Sequence, residues 1–180
     1  MKVTKTELEG VLIIEPDVHG DHRGWFTESY NKQEFLKHGI DIDFVQDNHS
    51  FSAQKGTLRG IHFQIEPKAQ TKLVRCTRGK VLDVAVDLRK ESPTFKKWIY
   101  IELSTDNHVQ LLIPKGFGHA FLTLSEETEI QYKVDEYYSK EHDRSVVFND
   151  TDLNINWNVY NPILSDKDKI APSLKSIFYL

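Results

Sequence analysis

Apolar and polar positions alternate along this chain in many short runs. Val11 to Glu15, Trp25 to Tyr30, Phe44 to Phe51, Thr57 to Gln64, Lys72 to Thr77 and Val81 to Leu88 each read as a strand, as do Trp98 to Leu103, Val109 to Pro114, Ala120 to Leu124, Thr128 to Asp135 and Ser145 to Asn149. Turn signals such as Arg78-Gly79-Lys80 and Thr105-Asp106-Asn107 separate them. The polar stretch Asp17 to Gly24 reads as a loop. Asn31 can cap a short helix through His38, with Gly39 as its stop, and a second short helix is predicted near Pro172 to Ile177. Closely spaced strands with so little helix predict an all-β fold, a jelly-roll barrel with short peripheral helices. With no composition break, the 180 residues read as a single domain, 1–180.

Side-chain parity locates candidate chemistry, because alternate residues of a strand share a face. Tyr132 shares a face with Ile130 and Val134 and points inward. Lys72 shares parity with Val74 and Cys76, which puts an ammonium on an apolar face. Asp83 shares parity with Val81 and Ala85, on a face whose direction the sequence leaves open. In Leu58-Arg59-Gly60-Ile61-His62-Phe63-Gln64, Arg59 and His62 have opposite parity. A bulge at Gly60 would turn both toward one side; without it His62 is a core residue beside a surface Arg59.

Composition narrows the function classes. The net charge of −4 gives no global attraction to nucleic acid or to an anionic membrane. Cys76 is the only cysteine, which rules out an intrachain disulfide and fits a reducing cytoplasm. The start MKVTKTELEG lacks an apolar signal core, and no run approaches membrane-spanning length.

Pro114-Lys115-Gly116-Phe117-Gly118-His119 is the second informative stretch. Its P-x-G-x-x-H spacing resembles the second motif of the cupins. Metal-binding cupins carry H-x-H in their first motif, whereas here His62-Phe63-Gln64 offers a neutral amide. One imidazole per motif is an incomplete ligand set, so a metal-free site is expected. Without a metal, His62, His119, Tyr132 and Lys72 make an acid–base site. His62 suits removal of a proton α to a ketone, Lys72 suits the enolate oxygen, and Tyr132 suits reprotonation from the other face. Such chemistry needs no cofactor.

These motifs belong to a longer series. It includes Gly20-Asp21-His22-Arg23-Gly24 with Glu28-Ser29-Tyr30, Phe44-Val45-Gln46-Asp47-Asn48, Lys72-Leu73-Val74-Arg75, Asp83-Val84-Ala85-Val86-Asp87, Tyr137-Tyr138 and Leu164-Ser165-Asp166-Lys167-Asp168. In this order the series resembles the dTDP-4-dehydrorhamnose 3,5-epimerase family along nearly the whole chain. The resemblance implies a cupin-like fold and epimerisation of a dTDP-4-keto sugar without a cofactor. It further implies that His62 is the proton acceptor, Asp168 its carboxylate partner, Tyr132 the proton donor and Lys72 the holder of the 4-keto oxygen. His119 is implied to contact sugar or phosphate, and Arg23 and Arg59 the pyrophosphate. Glu28 and Gln46-Asp47-Asn48 match nucleotide contacts, Lys167 lies in a substrate-contacting motif, and a tyrosine of the Tyr137-Tyr138 pair stacks on thymine. A homodimer with exchanged strands is implied, with some contacts crossing the interface. The chain departs from the family at Gly118-His119-Ala120, where the small residues are swapped. It departs again at Glu141-His142-Asp143, where Asp143 is the choice for the family's acidic contact.

Other readings fit the same residues. A relative inverting one carbon only, or acting on another dTDP-4-keto sugar, would share them all. A metal-dependent cupin oxygenase would bind iron tightly, and a non-catalytic sugar-nucleotide module would bind dTDP without exchanging solvent protons into the sugar.

Overall fold

The computed structural model describes residues 1–178. In chain order it forms β1 (Lys2–Lys5), β2 (Leu12–Glu15), β3 (Val18–Asp21), β4 (Gly24–Thr27), α1 (Lys32–Lys37), β5 (Gln46–Ser52), β6 (Leu58–Gln64), β7 (Lys72–Arg78) and β8 (Lys80–Asp87). There follow β9 (Trp98–Ser104), β10 (Gln110–Ile113), β11 (Phe117–Thr123), β12 (Thr128–Val134), β13 (Asp143–Ser145), α2 (Asp166–Lys169) and α3 (Leu174–Phe178). One sheet has the order β1-β2-β10-β7-β12-β5 and the other β13-β6-β11-β8-β9, all pairs antiparallel. Together they make the expected jelly-roll barrel, with β3 and β4 as a separate hairpin.

Three apolar clusters hold these layers. Val74, Leu111 and Ile130 of the first sheet meet Val81, Leu103 and Phe121 of the second, filling one end of the barrel. Outside the second sheet, Leu58, Ile61, Val84 and Leu122 are covered by Val146, Leu153, Trp157 and Leu174 of the C-terminal segment. Outside the first sheet, Ile14, Leu73 and Leu112 pack on Phe35 and Ile40. Phe35 sits on α1, whose Asn31 cap accepts from the Gln33 and Glu34 N–H groups as its position predicts. Burial of each large aliphatic side chain contributes about 1.5–3 kcal/mol, so the C-terminal segment is anchored strongly to the back of the second sheet.

A bulge at Gly60 of β6 decides between the two readings that parity left open. His119 pairs with His62 and Phe121 with Arg59, so β6 carries one residue more than β11 between those pairs. Gly60 has φ 125°, and a Cβ there would lie 2.4 Å from Ala120 Cβ and 2.7 Å from the His119 carbonyl. Only glycine meets both conditions. Arg59, His62 and Gln64 consequently face the barrel interior together, while Leu58, Ile61 and Phe63 face the C-terminal segment.

Some boundaries differ from the sequence reading. The stretch read as a loop at Asp17–Gly24 holds β3 and the turn into β4; β3, Val-His-Gly-Asp, is exposed throughout and has no apolar alternation to mark it. The strand read at Ser145–Asn149 lies earlier, at Asp143–Ser145, and β11 begins at Phe117 rather than Ala120. α2 had no periodic signal, being four charged residues, Asp-Lys-Asp-Lys. Cys76 is a buried packing residue whose thiol burial pushes up to about 11.

Candidate active site

The open end of the barrel is a hollow of about 320 Å³, on the scale of a ligand site. Strand β6 contributes Arg59, His62 and Gln64, β7 contributes Lys72, β11 contributes His119, and β12 contributes Tyr132. Tyr138, Asp143, Lys167 and Asp168 come from the connections and α2 that rim it.

His62 lies against Asp168. Its Nε2 is 2.6 Å from Asp168 Oδ1, so an Nε2–H donates to the carboxylate and Nδ1 keeps the free lone pair. Asp168 is only 2% exposed. Its neighbours Asp166 and Lys167 are exposed, so one turn of α2 turns a single carboxylate inward from a charge run. The Ser165 hydroxyl caps that turn by accepting from the Asp168 N–H. Burial pushes the Asp168 carboxyl upward, but hydrogen bonds and charge from His62, with support from Ser165 and the Gly60 N–H, hold it below its ordinary value.

Lys72 is 7% exposed, as its apolar parity predicts. Burial pushes its ammonium down to about 8, against the pull of Asp83 and Asp143. Its Nζ lies 5.9 Å from the centre of the Tyr132 ring. Tyr132 faces the hollow, and burial, helped by Asp143 and opposed by Arg59, raises its phenol, which keeps it protonated. Asp83, whose direction the sequence left open, points inward at 0% exposure and accepts from His119 Nε2–H at 2.7 Å. Its other oxygen is buried without a partner among the described residues. A second imidazole–carboxylate pair thus stands beside the first, since His62 and His119 are neighbours across β6 and β11.

The other sequence candidates divide. Arg59 lines the hollow, steadied by Ser52 Oγ at 3.1 Å and the Phe51 carbonyl at 2.9 Å. Lys167 and Asp143 form an ion pair on the rim. Gln46 stands behind the rim, its Oε1 accepting from the Tyr138 N–H at 3.3 Å and its Nε2 donating to Asn48 at 2.8 Å. Asn48 pairs with Tyr132 in register. Asp47 has the opposite parity, points out of the barrel and pairs with Lys133 at 2.8 Å. Arg23 and Glu28 lie apart from the hollow within the chain. Arg23 pairs with Asp21 on the exposed β3–β4 hairpin, and Glu28 accepts from Asn31 at 2.8 Å. Ser50 and Phe121 also line the hollow but carried no sequence signal beyond strand parity.

The amide of Gln64 is fully occupied by backbone groups, and no cluster of three or more metal-type donors occurs among the described residues. The hollow presents two oriented imidazoles, His62 and His119, with one buried ammonium and one protonated phenol around a shared space.

Comparison with known proteins points the same way. A sequence model described as dTDP-4-dehydrorhamnose 3,5-epimerase matches residues 5–176. The chain is 55% identical over 169 residues to a dTDP-4-dehydrorhamnose 3,5-epimerase of Shigella flexneri, covering 93% of each protein. It is similar to the crystal structure of the Bacillus anthracis enzyme of that name, with TDP and PPi bound, at 56% identity and a TM-score of 0.94, covering 96% of this chain and 98% of that one. A Legionella pneumophila dTDP-6-deoxy-D-glucose-3,5-epimerase, in complex with dTDP-4-keto-L-rhamnose, matches at 42% identity and a TM-score of 0.93, covering 99% of this chain and 95% of that one.

Proposed function

The chain belongs to the dTDP-4-dehydrorhamnose 3,5-epimerase family of isomerases, and on that premise we propose that it converts dTDP-4-dehydro-6-deoxy-D-glucose to dTDP-4-dehydro-L-rhamnose by inverting C3 and C5. The observation that carries the residue assignments is the convergence of His62, Lys72 and Tyr132 on one hollow, with Asp168 fixing the His62 ring.

The 4-ketone acidifies the protons on C3 and C5. His62 Nδ1 takes one of them, and Asp168 stabilises the imidazolium that forms. The electron pair moves onto the ketone oxygen, where the Lys72 ammonium steadies the enolate. Tyr132 delivers its proton to the opposite face of the carbon, which inverts it. Solvent resets both groups, and a ring flip brings the second carbon to the same base. Every proton lost is replaced, so the sequence balances without an oxidant or reductant.

Arg59 and His119 Nδ1 serve the phosphates and sugar, and Tyr138 stacks on thymine, with Gln46, Asn48, Asp143 and Lys167 setting the rim. Arg23 and Glu28 reach the nucleotide from a second copy of the chain in a homodimer. Their distance from the hollow within one chain supports this, as do Trp25 and Phe26, which stand 60% and 64% exposed on the same hairpin. Asp47 serves this second-copy surface rather than the sugar. We place the enzyme in the cytoplasm. No helix among the described residues is long and apolar enough to cross a membrane.

The test is incubation of the protein with dTDP-4-dehydro-6-deoxy-D-glucose, chemical reduction of the product and determination of configuration at both carbons. Inversion at C3 and C5 supports the reading. Inversion at C3 alone makes the protein a mono-epimerase, and an unchanged sugar that still binds makes it a binding module.

A further inference from the structure

Gln64 stands on β6 two residues after His62, faces the hollow and is only 5% exposed. Its side chain makes three hydrogen bonds, all to backbone. Nε2 donates to the Lys68 carbonyl at 2.6 Å and to the Tyr137 carbonyl at 3.2 Å, and Oε1 accepts from the Ser139 N–H at 2.6 Å. Both amide protons and the amide oxygen are used. A carboxylate of the same shape could accept from Ser139 but could not donate to either carbonyl.

Two of the three partners of Gln64, the Tyr137 carbonyl and the Ser139 N–H, flank one residue, Tyr138. The Tyr137 and Tyr138 rings are 60% and 59% exposed, so side-chain packing does little to hold them. The place of Tyr138 at the hollow is set by the backbone that carries it. The Tyr137 carbonyl and the Ser139 N–H are both fixed by Gln64, and the Tyr138 N–H is fixed from the other side by Gln46. Both ends of this segment are thus tied to β6 and its middle to β5, the strands that also carry His62 and Asn48.

We infer that Gln64 is a positioning residue for nucleotide recognition, holding the Tyr137–Ser139 rim so that Tyr138 meets the base of the dTDP-sugar. The inference rests on the proposed reaction for the identity of the ligand. It separates binding from chemistry within one strand: His62 acts on the sugar, and the residue two places on, on the same face, acts on the base through the rim.

The experiment compares Gln64→Glu, Gln64→Ala, Tyr138→Ala and the Gln64→Ala/Tyr138→Ala double variant. Each is measured for dTDP binding by calorimetry and for steady-state turnover of the keto sugar. Stacking of a base on an aromatic ring changes affinity by about 5- to 150-fold. Both Gln64 variants are therefore expected to weaken dTDP and raise KM about tenfold, with kcat within about threefold of the parent. The double variant is expected to bind no more weakly than Tyr138→Ala alone, because the pin and the ring act as one unit. Unchanged dTDP affinity overturns the inference. So do multiplying losses in the double variant, a fall in kcat without a rise in KM, or loss of the fold in both Gln64 variants, since the barrel is expected to survive without the pin. A parent protein that neither binds dTDP nor turns over the sugar overturns the proposed reaction instead.

Discussion

His62 and Asp168 are 106 residues apart in the chain, and their side chains meet at 2.6 Å. The C-terminal segment crosses the back of the second sheet, buries Trp157 and Leu174 there, and delivers α2 to the edge of β6. Apolar packing far from the hollow thus sets the orientation of the imidazole within it. Replacing Asp168 with Asn keeps the shape but removes the charge that stabilises an imidazolium. We expect kcat to fall by about 10²- to 10⁴-fold, with KM changed far less. Steady-state kinetics of Asp168→Asn check this, and a variant within twofold of the parent would remove Asp168 from the mechanism.

The lowered carboxyl of Asp168 also links stability to pH. Its contribution is present above the ordinary value of 3.8 and is lost as acid protonates the folded protein below it. Thermal unfolding between pH 6 and pH 2 should show a loss of stability in the parent that is smaller in Asp168→Asn.

Lys72 gives a prediction of opposite sign. Its ammonium, held down to about 8, is the form that steadies an enolate. kcat/KM should therefore fall as pH rises through about 8, while Tyr132, whose phenol is raised, stays protonated there. A buried lysine with a lowered pKa costs the folded state stability below that pH, and the cost fades as pH climbs toward 10.5. Lys72→Met should be inactive yet no less stable than the parent at pH 7. A flat activity profile up to pH 10 would contradict the assignment.

Gly60 makes a structural prediction. A Cβ at that position meets Ala120 and the His119 carbonyl inside contact distance, at a positive φ. Gly60→Ala should cost about 1–3 kcal/mol of stability, measured by urea unfolding. It should also lower activity beyond that loss, because the bulge is what turns Arg59 and His62 the same way.

The barrel was readable because strands announce themselves by alternation, and parity alone put Tyr132 and Lys72 on the inner face. The Gly60 bulge was legible as one of two readings, since a glycine inside a strand often marks a bulge but does not require one. Asp83 was not settled, because Val81 and Ala85 fit either face of a sheet covered on both sides. Asp168 had no local signal. It sits in a charged tetrapeptide that resembles solvated surface, and only the family resemblance of Leu164-Ser165-Asp166-Lys167-Asp168 marked it before the fold showed its partner. Asp47 shows the limit of a motif: Gln46 and Asn48 flank it, yet a strand sends the middle residue the other way. In the β3–β4 hairpin, strand β4 was legible in the alternation from Trp25, but β3 was read as loop because Val-His-Gly-Asp is exposed throughout and has no alternating apolar positions.

Arg23 tests that hairpin's purpose. If it serves the neighbouring copy's hollow, inactive His62→Asn and Arg23→Ala proteins should regain activity when mixed and allowed to exchange subunits. Each hybrid dimer then holds one hollow with both groups intact, so about a quarter of parental activity is expected from random pairing and independent hollows. Activity that never exceeds the sum of the two parts would mean that Arg23 acts within its own chain.

The central claim is proton exchange by His62 and Tyr132 across a bound ketose, and deuterium reports it directly. In heavy water with dTDP-4-dehydro-6-deoxy-D-glucose, the protein should place deuterium at C3 and at C5, read by NMR. Tyr132→Phe should exchange without completing inversion, and His62→Asn should do neither. Parental exchange rates in His62→Asn would contradict the account.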